Sequence, residues 1–437
     1  MEHHVAAAPS KLVNALRYDL KSTAPYILSR RSATMYPQGA SVLSPTGVNM
    51  ARITLGGQDL WIDPATIRVQ FTVVNNSTTQ SLLPISWLPN CLFQRCRVLI
   101  GGTVLEDVLA FNRWSQMQAA TIYPEMWQQA EAVTGFGCTL AQKGTATTVY
   151  TDNPKPCRIP PGGQLTVQMR LPLGIIEANK LLSQRFAAPT FEFYLEQAAN
   201  CLTQGSFSQS FTLQNFQVKV DLLELDSSVE NAFYRSLLEG KSLSFSYQTP
   251  WLQLQSVPTG STSLAVSLVR AYTRLNTIFT SFQAAGSPVV DFACPFPQVL
   301  NASGNDSTEM SLTDPGTTFQ VSIDSRLFPE VPAASVAEFY SMLEKACQAH
   351  SSKLNPLSID RHDFLNDTTI FGLALNRVIP TKAEAEPAGF SGLNTRSGSL
   401  IRVIFQNLNN NNITNLYTYL VAEAVCVISE QGAFVYD

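Results

Sequence analysis

The chain has 437 residues, enough for two domains of about 200 residues, each with its own core. Charged residues make up only 14% and the net charge is −4, which argues against a surface that binds nucleic acid over its whole area. Asn, Gln, Ser and Thr fill the polar positions instead. The cores of protein–protein contacts are likewise depleted in Lys, Glu and Asp, which favours a protein that assembles with others over the alternative of a low-charge soluble enzyme.

The first 50 residues differ in charge from the remainder. Their acidic residues are Glu2 and Asp19, and their basic residues are Lys11, Arg17, Lys21, Arg30 and Arg31. We predict an N-terminal arm over residues 1–45. A basic arm on an acidic body can contact an anionic partner such as packaged nucleic acid or a lipid surface. A tail whose few charges are simply solvated is the alternative.

Strands that alternate apolar and polar residues dominate the first half. In "IRVQFTVV" (67–74), Ile67, Val69 and Phe71 share one face, and "QLTVQMRL", "FEFYLEQ" and "FQVKVDL" repeat the pattern. Residues 97–120 predict a strand, a Gly-Gly turn, a second strand and a helix. Strands with one polar, solvent-exposed face and one apolar, buried face indicate antiparallel sheets.

A helix is predicted in the middle of the chain. Ser227 and Glu230 have the spacing of a capping box, and an apolar stripe follows them. This helix is the expected junction, so we predict a first domain over 46–226, a linker helix over 227–241 and a second domain over 242–437.

The second half repeats the strand pattern in "LSFSY", "LAVSLV", "LNTIFTSF" and "LIRVIFQN". Ser335 and Glu338 form another capping-box pattern, at the start of a helix after two short strands. The last strand, "ITNLYTYLVAEAVCVIS", is mostly apolar on both of its faces. One face is predicted to contact another domain, through Tyr417, Tyr419, Val421, Val425 and Val427. A central strand of one large sandwich would show the same pattern.

The two halves share an order of elements. Each has an early long strand (67–74; 264–282), a strand–turn–strand–helix unit (97–120; 319–348), a Gly-led strand ("GGQLTVQMRL"; "SGSLIRVIFQNL") and a long final strand. Residue identity between the halves is too weak to prove duplication. The order predicts two consecutive β-sandwiches.

No chemistry of a catalytic or metal site is found in the sequence. A cupin metal site needs a His-x-His pair with a third His and a carboxylate, but the four histidines are scattered: His3, His4, His350 and His362. No Gly-x-Ser-x-Gly elbow is present. We therefore predict no enzyme activity and no cofactor. The eight cysteines, without a CxxC pair, are predicted to be buried thiols in a reducing compartment, and no signal peptide is expected.

Three stretches carry a resemblance to a known family: "GSTSLAVSLVRAYTRLNTIFTSF", "SIDSRLFPEVPAASVAEFYSMLEKA" and "NLYTYLVAEAVCVIS". With the repeated order of strands over residues 45–437, they resemble the double jelly-roll major capsid proteins of double-stranded DNA viruses, most closely those of polinton-like viruses and virophages. The resemblance implies an all-β chain of two consecutive eight-stranded antiparallel jelly rolls with a few short helices.

The resemblance also implies a function. It implies a structural protein of the virion that forms homotrimers of pseudo-hexameric outline, which tile an icosahedral shell around a double-stranded DNA genome. Neighbouring capsomers, penton proteins and minor capsid proteins would be partners, and the arm would lie inside, against the genome or an internal membrane. The alternative is a two-domain β-sandwich protein that binds or hydrolyses carbohydrate.

Overall fold

The structure is a computed structural model. It describes residues 26–57, 59–121, 133–137, 156–178, 180–296, 316–347, 357, 359, 364–365, 368–376, 392–396, 400–408, 413–429 and 432–436. Lys11, Arg17 and Lys21 of the predicted arm lie outside these residues, as do all four histidines.

The first half forms two antiparallel sheets that face each other. One sheet has the order β1-β9-β3-β6, with β7 paired to β3, and the other has the order β2-β8-β4-β5. The strands are β1 (Ile27–Met35), β2 (Met50–Thr54), β3 (Trp61–Asn75), β4 (Phe93–Ile100), β5 (Thr103–Leu109), β6 (Gln164–Met169), β7 (Leu182–Ser183), β8 (Pro189–Leu195) and β9 (Phe211–Leu225).

The second half also forms two antiparallel sheets. Their orders are β10-β17-β12-β15, with β18 paired to β17, and β11-β16-β13-β14. The strands are β10 (Leu243–Ser256), β11 (Ser263–Leu268), β12 (Leu275–Ala284), β13 (Thr318–Ile323), β14 (Arg326–Ala333), β15 (Ile370–Ala374), β16 (Ile401–Gln406), β17 (Ile413–Ser429) and β18 (Gly432–Tyr436).

Short helices connect the strands. A 3-10 turn covers Pro89–Leu92, and the α-helices are α1 (Phe111–Thr121), α2 (Gly174–Glu177), α3 (Ala198–Cys201), α4 (Ser227–Leu238) and α5 (Val336–Ala346). Helix α4 joins the halves and lies within the predicted linker. Among the described helices, none is long and apolar enough to cross a membrane.

The two halves have the same topology. Strands β1 to β6, β8 and β9 of the first half take the places that β10 to β17 take in the second, in the same sheet order. Helix α1 follows β5 just as helix α5 follows β14. Each half is thus an eight-stranded jelly roll, with β7 or β18 added at its edge. The predicted fold class, two consecutive jelly rolls with few helices, is confirmed.

The matching of individual strands between the halves was partly wrong. The Gly-led strand of the first half is β6, whose counterpart is β15, whereas "LIRVIFQ" forms β16, the counterpart of β8. The single long strand expected over 264–282 is two strands, β11 and β12, which belong to different sheets. The order of hydrophobic stretches along the chain does not reveal to which sheet each strand belongs.

Two details at the ends of the first half also differ from the predictions. Strand β1 lies within the predicted arm, so residues 27–35 belong to a sheet. Helix α4 is capped by Asp226, whose carboxylate accepts from the backbone N–H of Ser228, and not by Ser227. The capping box of Ser335 and Glu338 on helix α5 is confirmed. The domain boundaries themselves stay a prediction.

Aromatic side chains fill both sandwiches. In the first, the rings of Phe71, Phe93, Phe193 and Phe216 pack with centroids 5.4–6.0 Å apart. In the second, the rings of Phe282, Phe319, Phe371 and Phe405 pack with centroids 5.0–6.4 Å apart. Such pairs add to the free energy gained by burying apolar area.

The cysteines that the structure describes are all free thiols. Cys91, Cys96, Cys201 and Cys426 are buried, and Cys157, Cys294 and Cys347 are half-buried. Burial raises the pKa of the Cys91 thiol to about 12, so the reactive thiolate is disfavoured there.

Candidate assembly interface

Two of the five basic residues assigned to the arm lie on strand β1. Arg30 forms ion pairs with Asp221 (Nε to Oδ2, 2.8 Å) and Asp63 (Nη2 to Oδ2, 3.1 Å), which stand on β9 and β3 of the same sheet. Arg31 stands opposite Leu222 in the β1–β9 ladder. Arg30 is therefore neutralised by its own sheet. A role of these arginines at an inner capsid face stays a prediction.

Strand β17 packs against the first half of the chain through one face. Tyr417, Tyr419 and Val421 of the predicted interface strand are buried, while Val425 and Val427 are half-buried. Tyr419 donates a hydrogen bond to the carbonyl oxygen of Ala110, next to helix α1 (3.1 Å). The opposite face, with Leu416 and Leu420, turns to the core of the second sandwich. The role of the five residues in assembly stays a prediction.

Arg113 on helix α1 is the most deeply buried cation at this contact, with none of its surface exposed. Its guanidinium makes five hydrogen bonds to the second half, to the Ser281 hydroxyl and to three backbone carbonyl oxygens (2.7–3.2 Å). The carbonyls belong to Phe282, Val289 and Asp291. All five N–H groups of the side chain are used.

Two aromatic rings enclose the same guanidinium. Its central carbon lies 4.5 Å from the ring centroid of Phe292 and 4.4 Å from that of Tyr417. Burial lowers the pKa of Arg113 to about 10, which still leaves the side chain charged at neutral pH. A buried cation is tolerated here because carbonyl dipoles and ring faces replace its water.

Trp114, the next residue of helix α1, adds an apolar contact to the second half. Its ring packs against Phe279 and Tyr419 with centroids 6.4 and 5.1 Å apart. Its indole N–H donates to the carbonyl oxygen of Pro172 in the first half. The ring is satisfied on its polar side and buried on its apolar side, so it contributes mainly by excluding water.

Strand β5 and helix α2 contact strand β10 beside this helix. The Tyr247 hydroxyl of β10 donates to the carbonyl oxygen of Leu105 on β5 (2.6 Å). At Gly174, the first residue of α2, a Cβ atom would collide with the backbone carbonyl of Gln248 on β10. Only glycine allows the two backbones to approach so closely.

A buried carboxyl group accepts hydrogen bonds from the backbone at this glycine. The Glu106 side chain on β5 is 1% exposed and accepts from the backbone N–H groups of Gly174 (3.0 Å) and Ile175 (3.3 Å). Burial raises the pKa of Glu106 to about 8, although the two N–H groups act in the opposite direction. The contact therefore contains a carboxyl that titrates near neutral pH.

We call the set of contacts between α1, β5 and α2 of the first half and β10, β12 and β17 of the second the internal contact. It borders a cavity of about 290 Å³ whose polar lining includes Glu177, Asn276 and Glu423. Burial raises the pKa of Glu177, and Glu423 forms an ion pair with Arg274. Within the described residues, no group of three His, Cys, Asp or Glu side chains is placed to hold a metal ion.

Sequence reasoning did not find Arg113, Gly174 or Glu106. The helix at 111–121 was predicted, but its periodic pattern places polar residues such as Arg113 on the solvent-exposed face. The partners of Arg113 follow it by 168–178 residues, so no local signal indicates them. A glycine directly before an apolar Ile-Ile pair was the one local sign at Gly174.

The fold is similar to those of several solved viral proteins. The Faustovirus major capsid protein has a TM-score of 0.63 at 9% identity, with 96% of this chain and 94% of that one covered. PBCV-1 VP54, fitted into a reconstruction of the virophage Sputnik, has a TM-score of 0.62 at 10% identity, with 94% and 96% covered. A structure of the Sputnik virophage has a TM-score of 0.56 at 9% identity, with 94% and 88% covered.

These likenesses bear on the fold, because identity is so low. The predicted resemblance to double jelly-roll major capsid proteins of DNA viruses is confirmed for the fold. No protein-family model matches the chain, and no curated protein is similar to it in sequence.

Proposed function

We propose that this chain is a structural protein, the major capsid protein of a double-stranded DNA virus. Three copies form a pseudo-hexameric capsomer, and capsomers tile an icosahedral shell. One observation carries the proposal: the chain contains the same jelly roll twice, and capsid proteins with this double fold match it over almost its whole length. Two similar lobes per chain let three copies build a six-lobed tile.

The composition supports the same function. Low charge and an Asn- and Gln-rich surface suit contacts that form reversibly before a shell closes. Many weak contacts between neighbouring capsomers, penton proteins and minor capsid proteins act together, so each can be weak. Nothing in the described residues favours the alternative of a carbohydrate-binding or sugar-hydrolysing protein.

The mass of the purified protein in solution tests the proposal. Light scattering after size exclusion should give about 144 kDa, three times the chain mass of 47.9 kDa. Negative-stain images should show a particle with six lobes. A stable monomer at micromolar concentration would contradict the proposal.

The N-terminal arm is proposed to contact the genome or an internal membrane from inside the shell. Its support is the charge of Lys11, Arg17 and Lys21 alone. Replacing all three by Gln should leave the trimer intact and weaken salt-dependent binding to duplex DNA or to anionic vesicles. Unchanged binding to both probes would show that the arm is only a solvated tail.

A further inference from the structure

The cavity at the internal contact lies between the two jelly rolls, and both of them line it. Its volume is about 290 Å³. Helices α1 and α2 form the wall that belongs to the first half, and strands β10, β12 and β17 form most of the opposite wall. A molecule bound in this cavity would therefore contact both halves at once.

The ionised side chains of the lining are acidic. They are Glu177 and Glu423, and the described part of the lining contains no Lys, Arg or His. Glu177 lies at the mouth of the cavity, where its side chain is exposed to solvent. The protein around its carboxyl nevertheless raises the pKa of Glu177, and no cation of the described residues counteracts that effect. The mouth is therefore suited to a positively charged ligand.

Two buried acceptors lie deeper in the cavity wall. Glu423 is 4% exposed, and its ion pair with Arg274 spans 3.7 Å (Nε to Oε2), which is longer than a hydrogen bond. Asn276 is 2% exposed, and its Oδ1 atom has no hydrogen-bond partner within the described residues. Buried amide oxygens normally accept a hydrogen bond, so this one suits a ligand that brings N–H groups.

The rest of the lining is largely apolar. Trp114, Pro172, Phe279 and Val421 contribute to it. Such walls bury methylene groups favourably, and aromatic ring faces attract cations. A bare metal ion fits less well, because it needs several ligands around it, and no three His, Cys, Asp or Glu side chains of the described residues are placed to hold one. The lining therefore matches an organic cation.

We propose that this cavity binds a short aliphatic diamine, such as putrescine, in its protonated form. One ammonium group pairs with Glu177 at the mouth, and the carbon chain lies against Trp114 and Phe279. The second ammonium group donates to Asn276 Oδ1 and to the carboxylate of Glu423. Because the ligand contacts both halves, its binding stabilises the internal contact by mass action. The site lies within one chain and does not rest on the proposed function.

Calorimetry and thermal unfolding of the full chain test the proposal at an ionic strength held constant with NaCl. Putrescine should bind saturably with a dissociation constant of about 1 mM or lower. At saturation it should raise the unfolding midpoint by about 2–4 °C. The matched probe is the diol of the same carbon chain, which lacks the charges and should do neither. MgCl2 should also do neither. An equal effect of the diol or of MgCl2 would overturn the proposal.

Substitutions at the mouth test where the amine binds. Glu177→Gln keeps the size of an exposed side chain and removes its charge, so the chain should fold and bind putrescine about tenfold more weakly. Ala178→Phe places a ring in the lining and should block binding. Glu239→Gln is the matched control, since Glu239 is exposed and lies outside the cavity. Wild-type affinity in Glu177→Gln or in Ala178→Phe would refute the site.

Hydrogen exchange locates the bound amine independently of any substitution. Putrescine should slow exchange of the backbone N–H groups of helix α2 and strand β10, which line the cavity from opposite sides. Strands β11 and β16 contribute nothing to the lining and should exchange at the same rate with and without putrescine. Protection that spares α2 and β10 would show that the amine binds elsewhere on the acidic surface, and the proposal would be wrong.

Discussion

Helices α1 and α5 hold the same place in the two jelly rolls, but their surroundings differ. Nine of the eleven residues of α1 are buried, including Arg113, whereas α5 buries four. The difference does not come from the sandwiches, which have the same topology. It arises because the second half covers α1, while among the residues that the structure describes nothing comparable covers α5. Helix α1 is therefore buried by both halves of the chain, whereas α5 packs on its own jelly roll, as in the contact of Phe339 with Phe371.

The sandwich cores should be the part in which the two halves behave alike. Val167 on β6 is 1% exposed and Val403 on β16 is fully buried. Val167→Asp or Val403→Asp places an unpaired carboxylate in a sandwich interior, so each should cost more than about 4 kcal/mol and abolish folding. Soluble yield and circular dichroism measure the effect. Val269→Asp, at an exposed position, is the control. If one of these two variants folded and the other did not, the two cores would not be equivalent.

The two helices should respond differently to loss of a cation. Arg113→Ala removes the guanidinium that donates to the carbonyl oxygens of Val289 and Asp291 and leaves its buried site between two rings empty, so the free energy of unfolding should fall by about 3 kcal/mol. Lys345→Ala on the exposed face of α5 should change it by less than about 0.5 kcal/mol. Urea unfolding at one fixed chain concentration measures both. Equal losses at the two sites would contradict the view that the second half fixes α1.

The sequence predicted α5 better than α1 for a physical reason. The stripe of Val336, Phe339 and Leu343 and the cap at Ser335 are local, and the polar residues of α5 remain at the surface. The extent of α1 was also predicted. Its full burial was not, because the groups that bind Arg113 come from a distant part of the chain. From the sequence, the only sign of the internal contact was therefore the apolar face of strand β17.

Strand β1 was missed for a related reason. Its sequence, "ILSRRSATM", lacks the strict alternation that revealed the other strands. The strand is held by its ladder to β9 and by the ion pairs of Arg30, which are long-range contacts. Its position became clear only from the sheet order, where it matches β10.

The close backbone approach at Gly174 should be specific to the internal contact. Gly174→Ala forces helix α2 away from Gln248 on β10, so unfolding should become easier by about 1–3 kcal/mol. Gly56→Ala is the control, since its new Cβ would lie 3.3 Å from the Ala188 side chain and meet no backbone so closely. Equal stability of both variants would show that β10 can move away from the first half without loss.

The internal contact should also weaken with rising pH through Glu106. Burial raises the pKa of this carboxyl from 4.5 to about 8, so the folded chain keeps its proton while the unfolded chain loses it. The protonated carboxyl contributes its full stabilisation below pH 4.5. This stabilisation is lost as the pH rises from 4.5 through 8, by at most about 1.4 kcal/mol per pH unit.

Glu106→Gln should remove that slope from the unfolding free energy, because an amide does not titrate. Glu239→Gln at an exposed carboxylate should retain it. An unchanged slope in Glu106→Gln would mean that the carboxyl is ionised in the folded chain, held by the N–H groups of Gly174 and Ile175.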